Sequence, residues 1–327
     1  MRLMEGTWLH CKRSRSANLL VNRVKALTGL LSKRACLFLL FNLLFGVVFS
    51  AHLAHLCFFS LHQQHYPHLG LILLVMLYLM YTHRQALFAR AAYCAWGGIP
   101  LVVVGVLCYF LGIQQQPHLS QNDFLALTTL GVVTIWIGGF VTCFGLPGMR
   151  VAPFPLGFLL LAIPLPDILL AYVITTLQSA SADVTEVLFK LSPLPVVREG
   201  FTFALPGLQI EVAPECSGIR SSIALLLTGL LASHLWLRRW WNKAVIWLLI
   251  YPLAVFKNGL RIVTLCLLTL YVDEGFITGD LHTRCGILFF GIALAMLLSV
   301  LFVLRKMEAG RVRAGRCNSP MRVSGSA

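Results

Sequence analysis

The sequence predicts an all-α polytopic membrane protein of about eight transmembrane helices, with one structured external loop between the fifth and sixth. Three observations predict it. Of the 327 residues, 58% are hydrophobic and only 12% charged, about half the charge of a soluble domain. Mean hydropathy is +0.82. Apolar runs of spanning length alternate with short connections whose charge switches from basic to neutral or acidic. Such a composition cannot make a solvated surface, which excludes a soluble globular domain, a disordered chain and a collagen-like fibre.

The runs lie at 35–59, 69–81, 91–113, 124–146, 154–177, 218–237, 244–271 and 286–304. A span needs about 20 apolar residues. The second run is short but extends through His68 and Pro67, and the fifth is interrupted by Pro164 and Pro166. Charge orients them. Residues 1–34 carry eight Lys/Arg and one Glu, and the tail from Arg305 carries six Lys/Arg and one Glu. Arg84, Arg90, Arg150, Arg238, Arg239 and Lys243 mark the connections on the same side. The alternate connections hold no Lys/Arg at 60–67, only Asp123 at 114–123, and Asp273, Glu274 and Asp280 at 272–283. The positive-inside rule then places both termini in the cytoplasm. The chain divides into a basic N-terminal segment 1–34, a transmembrane domain 35–304 and a basic, unstructured tail 305–327. No cleavable signal peptide is expected, since the first apolar run is long enough to span. The net charge of +14 sits at the ends and in short loops, the pattern of topology signals and not of a nucleic-acid face.

The 40-residue connection from Gln178 to Ser217 differs from the rest. Its first part, SASADVTEVLFKLSPL, has Val184, Val187, Leu188 and Leu191 at helical spacing and reads as an interfacial amphipathic helix. Its second part, EGFTFALPGLQIEVAPE, alternates around Pro206-Gly207 and reads as a β-hairpin. A long structured loop of this kind is either an external cap or functional.

Ten cysteines, at 11, 36, 57, 94, 108, 143, 216, 266, 285 and 317, form no CxxC pair or zinc spacing. Most lie in apolar runs and read as small hydrophobes. Cys216 is different. It follows Pro214-Glu215 and precedes Ser217-Gly218-Ile219-Arg220 at the opening of the sixth helix. A thiol there faces the positive end of the helix dipole, which favours the thiolate. Arg220 shares its face, and Gly218 permits close approach of backbone or substrate. The alternative is a packed cysteine at a helix start. In the seventh span, Lys257-Asn258-Gly259-Leu260-Arg261 interrupts the apolar run. Arg261 lies about 27 Å along the span, near the outer interface, and Asn258 shares its face. Lys257 points elsewhere and reads as snorkelling or paired with an acid. His282, in the acidic loop before the eighth span, falls on one stripe with Gly286 and Phe290. Cys285 beside it reads as a second thiol or a core residue.

Cys216, Arg261 and His282 thus come from three spans and share one membrane edge. A thiol and an imidazole are the minimum for thiol acyl transfer, and a cation at the developing oxyanion completes it. The histidines at 52, 55, 62, 65 and 68 have partly metal-like spacing but no accompanying carboxylates, and no metal is expected. The tryptophans at 236, 240, 241 and 247 read as an aromatic belt.

These residues resemble the exosortase/archaeosortase family. The resemblance runs from about Tyr66 to Leu304. It takes in Tyr66-Pro67-His68-Leu69-Gly70, Phe154-Pro155-Leu156 and Ile163-Pro164-Leu165-Pro166. It is strongest at Val212 to Arg220, Asn258-Gly259-Leu260-Arg261-Ile262 and the His282/Gly286/Phe290 pattern. It implies a membrane-embedded cysteine protease or transpeptidase. Its substrates would be proteins with a C-terminal sorting signal: a short motif such as Pro-Glu-Pro, a transmembrane helix and a basic tail. It further implies Cys216 as nucleophile, Arg261 as oxyanion stabiliser and His282 as acid and base, with Arg220, Asn258, Ser217 and Gly218 in support. No cofactor is implied. The expected setting is the bacterial inner membrane with the site at its external face, often linked to exopolysaccharide. The departures are Pro214-Glu215 before the cysteine and the lack of an appended C-terminal domain. Two other readings are a transporter of an anionic substrate, which would show an inverted repeat of broken helices, and a non-catalytic assembly factor for exopolysaccharide export.

Overall fold

The computed structural model describes residues 33–63, 66–192, 195–205, 208–213, 217–272 and 280–317. The chain divides into two compact units, 1–166 and 167–327.

The first unit opens with α1 (Lys33–Val48) and α2 (Ser50–His62), which meet at a 69° bend. Together they cover the first expected span. The helices α3 (Leu69–Arg90), α4 (Ala95–Gln114) and α5 (Gln121–Val151) follow, each long and apolar enough to cross a membrane. Helix α5 begins at Ser120, whose hydroxyl accepts the Asp123 N–H at 3.0 Å, with Asp123 itself against the positive helix end. It is interrupted at Gly145, where φ is +67°. The pair α4 and α5 packs through glycines seven residues apart. A Cβ on Gly105 would lie 2.7 Å from the Gly131 carbonyl, and one on Gly131 would lie 2.7 Å from the Gly105 carbonyl. Gly98 and Gly138 face each other in the same way, at 2.6 and 2.9 Å. Any side chain there would hold the backbones apart.

The expected fifth span is not one helix. It divides into a short α6 (Pro153–Leu159), a single 3₁₀ turn (Leu160–Ala162) and an extended stretch carrying Pro164 and Pro166. Each proline removes a helical donor and pushes its predecessor toward extended backbone. The Leu165 carbonyl, left outside a helix, accepts the Asn122 amide at 2.6 Å and the Tyr66 hydroxyl at 3.3 Å.

The histidines of this unit serve packing. His52 is buried, shares a hydrogen bond with Thr129 Oγ1 at 3.2 Å and meets Tyr109 edge-on. His55 lies against Phe124, and His62 bonds the Phe58 carbonyl. His65 lies outside the described residues.

The second unit starts with α7 (Asp167–Lys190). The segment read as an interfacial helix is the second half of this one helix, which is itself long enough to span. Its buried stripe is only partly the apolar one, since Val184 and Leu188 pack inward among polar residues. Gln178, Ser181, Ala182, Thr185 and Phe189 are buried, whereas Val187 and Leu191 are exposed. The expected hairpin is present as β2 (Thr202–Leu205) and β3 (Leu208–Glu211), paired antiparallel with Leu205 opposite Leu208. A third strand, β1 (Val197–Glu199), adds to β2 beyond the expected pair. Arg198 on β1 ties this sheet to α7 by bonds to Asp183 and Glu186 at 2.8 and 2.9 Å. Burial works against its charge, but the hydrogen bonds it donates to Asp183 and Glu186 prevail and raise its pKa.

Helices α8 (Ile219–Trp236), α9 (Trp240–Tyr271) and α10 (Asp280–Cys317) complete the unit. The first half of α9 packs with α8 and α10 in a core of Leu225, Ile246, Ile250, Leu253 and Leu297. Its second half packs with α7 and the sheet around Phe189, Phe203, Val212, Val263 and Cys266. The α8–α9 connection is pinned by Glu308 of α10, which accepts the N–H groups of Arg238 and Arg239 and the Asn242 amide. Helix α10 continues past the expected boundary at Leu304 to Cys317.

Candidate active site

Between the two apolar cores of the second unit, α9 carries Lys257, Asn258 and Gly259 into a belt of small polar side chains. Lys257 is 4% exposed and Asn258 is 1% exposed. In an apolar surround each needs a partner. Asn258 Nδ2 donates to Ser181 Oγ of α7 at 3.1 Å. Lys257 Nζ donates to Ser221 Oγ of α8. The sequence reading of Lys257 as snorkelling is therefore corrected. It is buried, and among the described residues its hydrogen-bond acceptor is the Ser221 hydroxyl.

Small residues let these three helices approach. A Cβ on Gly259 would fall 2.7 Å from Val184 Cγ1 and 3.3 Å from the Thr185 nitrogen. Gly218, the residue before α8, has φ +73° and ψ 16°, the left-handed region that favours glycine. A Cβ there would also meet Asn258 Oδ1 at 2.7 Å and lie 3.4 Å from Lys257 Nζ. Glycine is thus required twice at this position, by backbone and by space. The Gly218 carbonyl is bound by Ser221 Oγ at 3.0 Å and Ser222 Oγ at 2.9 Å. On the α7 side, Gln178 Nε2 donates to the Val212 carbonyl and Thr185 Oγ1 to the Ser181 carbonyl. Both ends of the segment 213–217 are thereby anchored to helices.

Of the residues singled out from sequence, the structure brings Gly218 and Asn258 into contact and places Ser217 beside them, 1% exposed. Arg261 lies one turn beyond Asn258 on α9 and is partly buried. Arg220 is exposed in the first turn of α8. Cys216 lies outside the described residues, as do Pro214 and Glu215. Position 282 is in the first turn of α10, seven residues before Phe289 on the helix whose Phe289, Ala293, Leu297 and Leu301 are buried. Among the described residues no three His, Cys, Asp or Glu groups converge as a metal site would need.

Sequence reasoning missed Gln178, Ser181, Thr185 and Ser221. Their signal was a polar stripe at i, i+3, i+7 on α7 and the Ser-Ser pair after Arg220.

The chain belongs to the transmembrane exosortase family (Exosortase_EpsH), whose family model matches residues 59–299, more than half of the sequence. It is therefore a multi-pass member of a family of membrane transpeptidases and proteases that act on exported proteins. No curated protein and no solved structure matches the chain.

Proposed function

We propose that this protein is a cysteine transpeptidase or protease that cleaves the C-terminal sorting signal of exported proteins, with Cys216, Arg261 and His282 as its catalytic residues. The observation that carries the reading is the contact of Gly218 with Asn258. Cys216 is two residues from Gly218, so covalent geometry keeps its Cα within about 7 Å of it. Arg261 is one turn from Asn258. The contact thus joins the chain segment of the thiol to the helix of the cation. The family match, which spans all three residues, supports the same assignment.

In this reading the Cys216 thiolate attacks a substrate carbonyl and forms a thioester. Arg261 stabilises the oxyanion. His282 protonates the leaving amine and then deprotonates the water or amine that resolves the thioester. The substrate's own helix lies in the bilayer with its basic tail in the cytoplasm, and the reaction takes place at the opposite, external face of the inner membrane. The motif, in the manner of Pro-Glu-Pro, stands at that face.

The test is co-expression of wild type, Cys216→Ser and His282→Ala with a reporter carrying such a signal. Mass spectrometry should find trimmed reporter with the wild type and a hydroxylamine-sensitive adduct on Cys216, absent from Cys216→Ser. Trimming that survives Cys216→Ser in a folded protein rejects the reading.

A further inference from the structure

Two buried polar groups meet where the chain enters α8, Ser217 just before the helix and Lys257 on α9. Ser217 is 1% exposed, and among the described residues its Oγ has no hydrogen-bond partner. Lys257 is 4% exposed, and among the described residues no carboxylate pairs with it. Among the described residues, the charge acting on it is that of Arg261, of its own sign. Its Nζ is 3.4 Å from the position of a Cβ on Gly218, hence at the N-terminal pole of an 18-residue helix. That pole carries about half a positive charge, and the helix has no acidic residue in its first turn and no side-chain cap. An ammonium and a helix N-terminus thus meet beside a hydroxyl that has no partner among the described residues. Both become more favourable when an anion is present.

Deepening the acyl-transfer reading on which it rests, we infer that Ser217, Lys257 and the first-turn N–H groups of α8 form the pocket that holds the oxyanion of the tetrahedral adduct, alongside Arg261. As the Cys216 sulfur bonds to the substrate carbonyl carbon, the carbonyl π pair moves onto oxygen, and this pocket takes up the new charge. When that pair returns, the carbon–nitrogen bond breaks. Its electrons leave on the amine nitrogen, which takes a proton from His282. Lys257 keeps its proton throughout. Ser221 holds the ammonium in place, and its own hydroxyl is anchored on the Gly218 carbonyl.

The pocket makes an unusual demand on Ser217→Ala. Removing a hydroxyl that has no partner relieves the fold, so the thermal midpoint should stay level or rise. Removing an oxyanion donor should lower kcat about tenfold or more with KM little changed. Ser217→Thr, which keeps the hydroxyl, should restore most of the turnover. Lys257→Met should lower kcat in the same way. The assay is trimming of the sorting-signal reporter by purified full-length protein in detergent, with melting followed in parallel. Wild-type kcat in Ser217→Ala overturns the inference, as does a loss of activity that tracks a lower midpoint. If Lys257→Met fails to fold, the two Ser217 variants decide alone. A wild type that trims nothing, or a Cys216→Ser that still trims, defeats the acyl-transfer reading itself and the pocket with it. Loss of trimming confined to Cys216→Ser defeats only the pocket.

Discussion

The two units hold helices together by opposite means. In the first, α4 and α5 meet through glycines, and what matters is the side chain that is missing. In the second, α7, α8 and α9 meet through Ser181, Ser221, Lys257 and Asn258, and what matters is the polar group that is present. Close backbone packing makes a rigid pair with no chemistry at its seam. A polar seam between apolar helices is costly unless it is satisfied, and it puts hydrogen-bonding groups where a reaction could use them. The candidate active site belongs to the second kind of seam.

That contrast can be broken from either side. The largest effect expected is for Gly105→Leu, since even a Cβ there falls 2.7 Å from the Gly131 carbonyl. Overpacking of this kind costs about 3 kcal/mol or more, and detergent gel filtration should show aggregated protein. Gly218→Ala comes next. It forces an L side chain to φ +73° and onto Asn258 Oδ1, at a cost of about 1–3 kcal/mol, with reporter trimming falling further than stability. A smaller effect is expected for Asn258→Ala. It leaves Ser181 without its buried donor and should lower stability by about 1–2 kcal/mol. Combining it with Ser181→Ala should cost less than the sum, because both remove one bond. The smallest is Glu308→Ala, which uncaps the partly exposed start of α9 at about 1 kcal/mol or less. It should leave trimming intact. Equal losses of trimming from Glu308→Ala and Gly218→Ala would erase the distinction between scaffold and site.

Much of this was legible in the sequence. Apolar runs locate most of the long helices because lipid demands continuous apolar length, but α3 and α10 run well past theirs and the fifth run is split. The hairpin was legible because strand alternation around Pro206-Gly207 is a local signal. What was not legible has one physical cause. Helical spacing of apolar residues marks the buried stripe of a helix in water, and around α7 it marks that stripe only in part, since Val184 and Leu188 pack inward but Val187 and Leu191 do not. In a bilayer the solvent is itself apolar, so Val187 and Leu191 can face outward while Gln178, Ser181 and Thr185 pack inward. The same inversion hid the burial of Lys257. Strand β1 was missed because three residues carry no periodicity. It is held by pairing to β2 and by the Arg198 bonds to α7. At the site, the Asn258–Gly218 juxtaposition is set by tertiary contact, although both residues stood out individually.

Helix α9 has one more consequence. Its 32 residues extend about 48 Å, against a hydrocarbon thickness of about 30 Å. One face of its first half packs against α8 and α10, and one face of its second half packs against α7 and the sheet. It therefore acts as a ruler on which Asn258 is a fixed mark, 15 residues or about 22 Å beyond Lys243. For the proposed reaction, a substrate is then measured before it is read. One extra helical turn in its membrane anchor shifts the cleavage point by about 5 Å, farther than a hydrogen bond can reach. Selection by length in this way needs no recognition of the anchor's side chains at all.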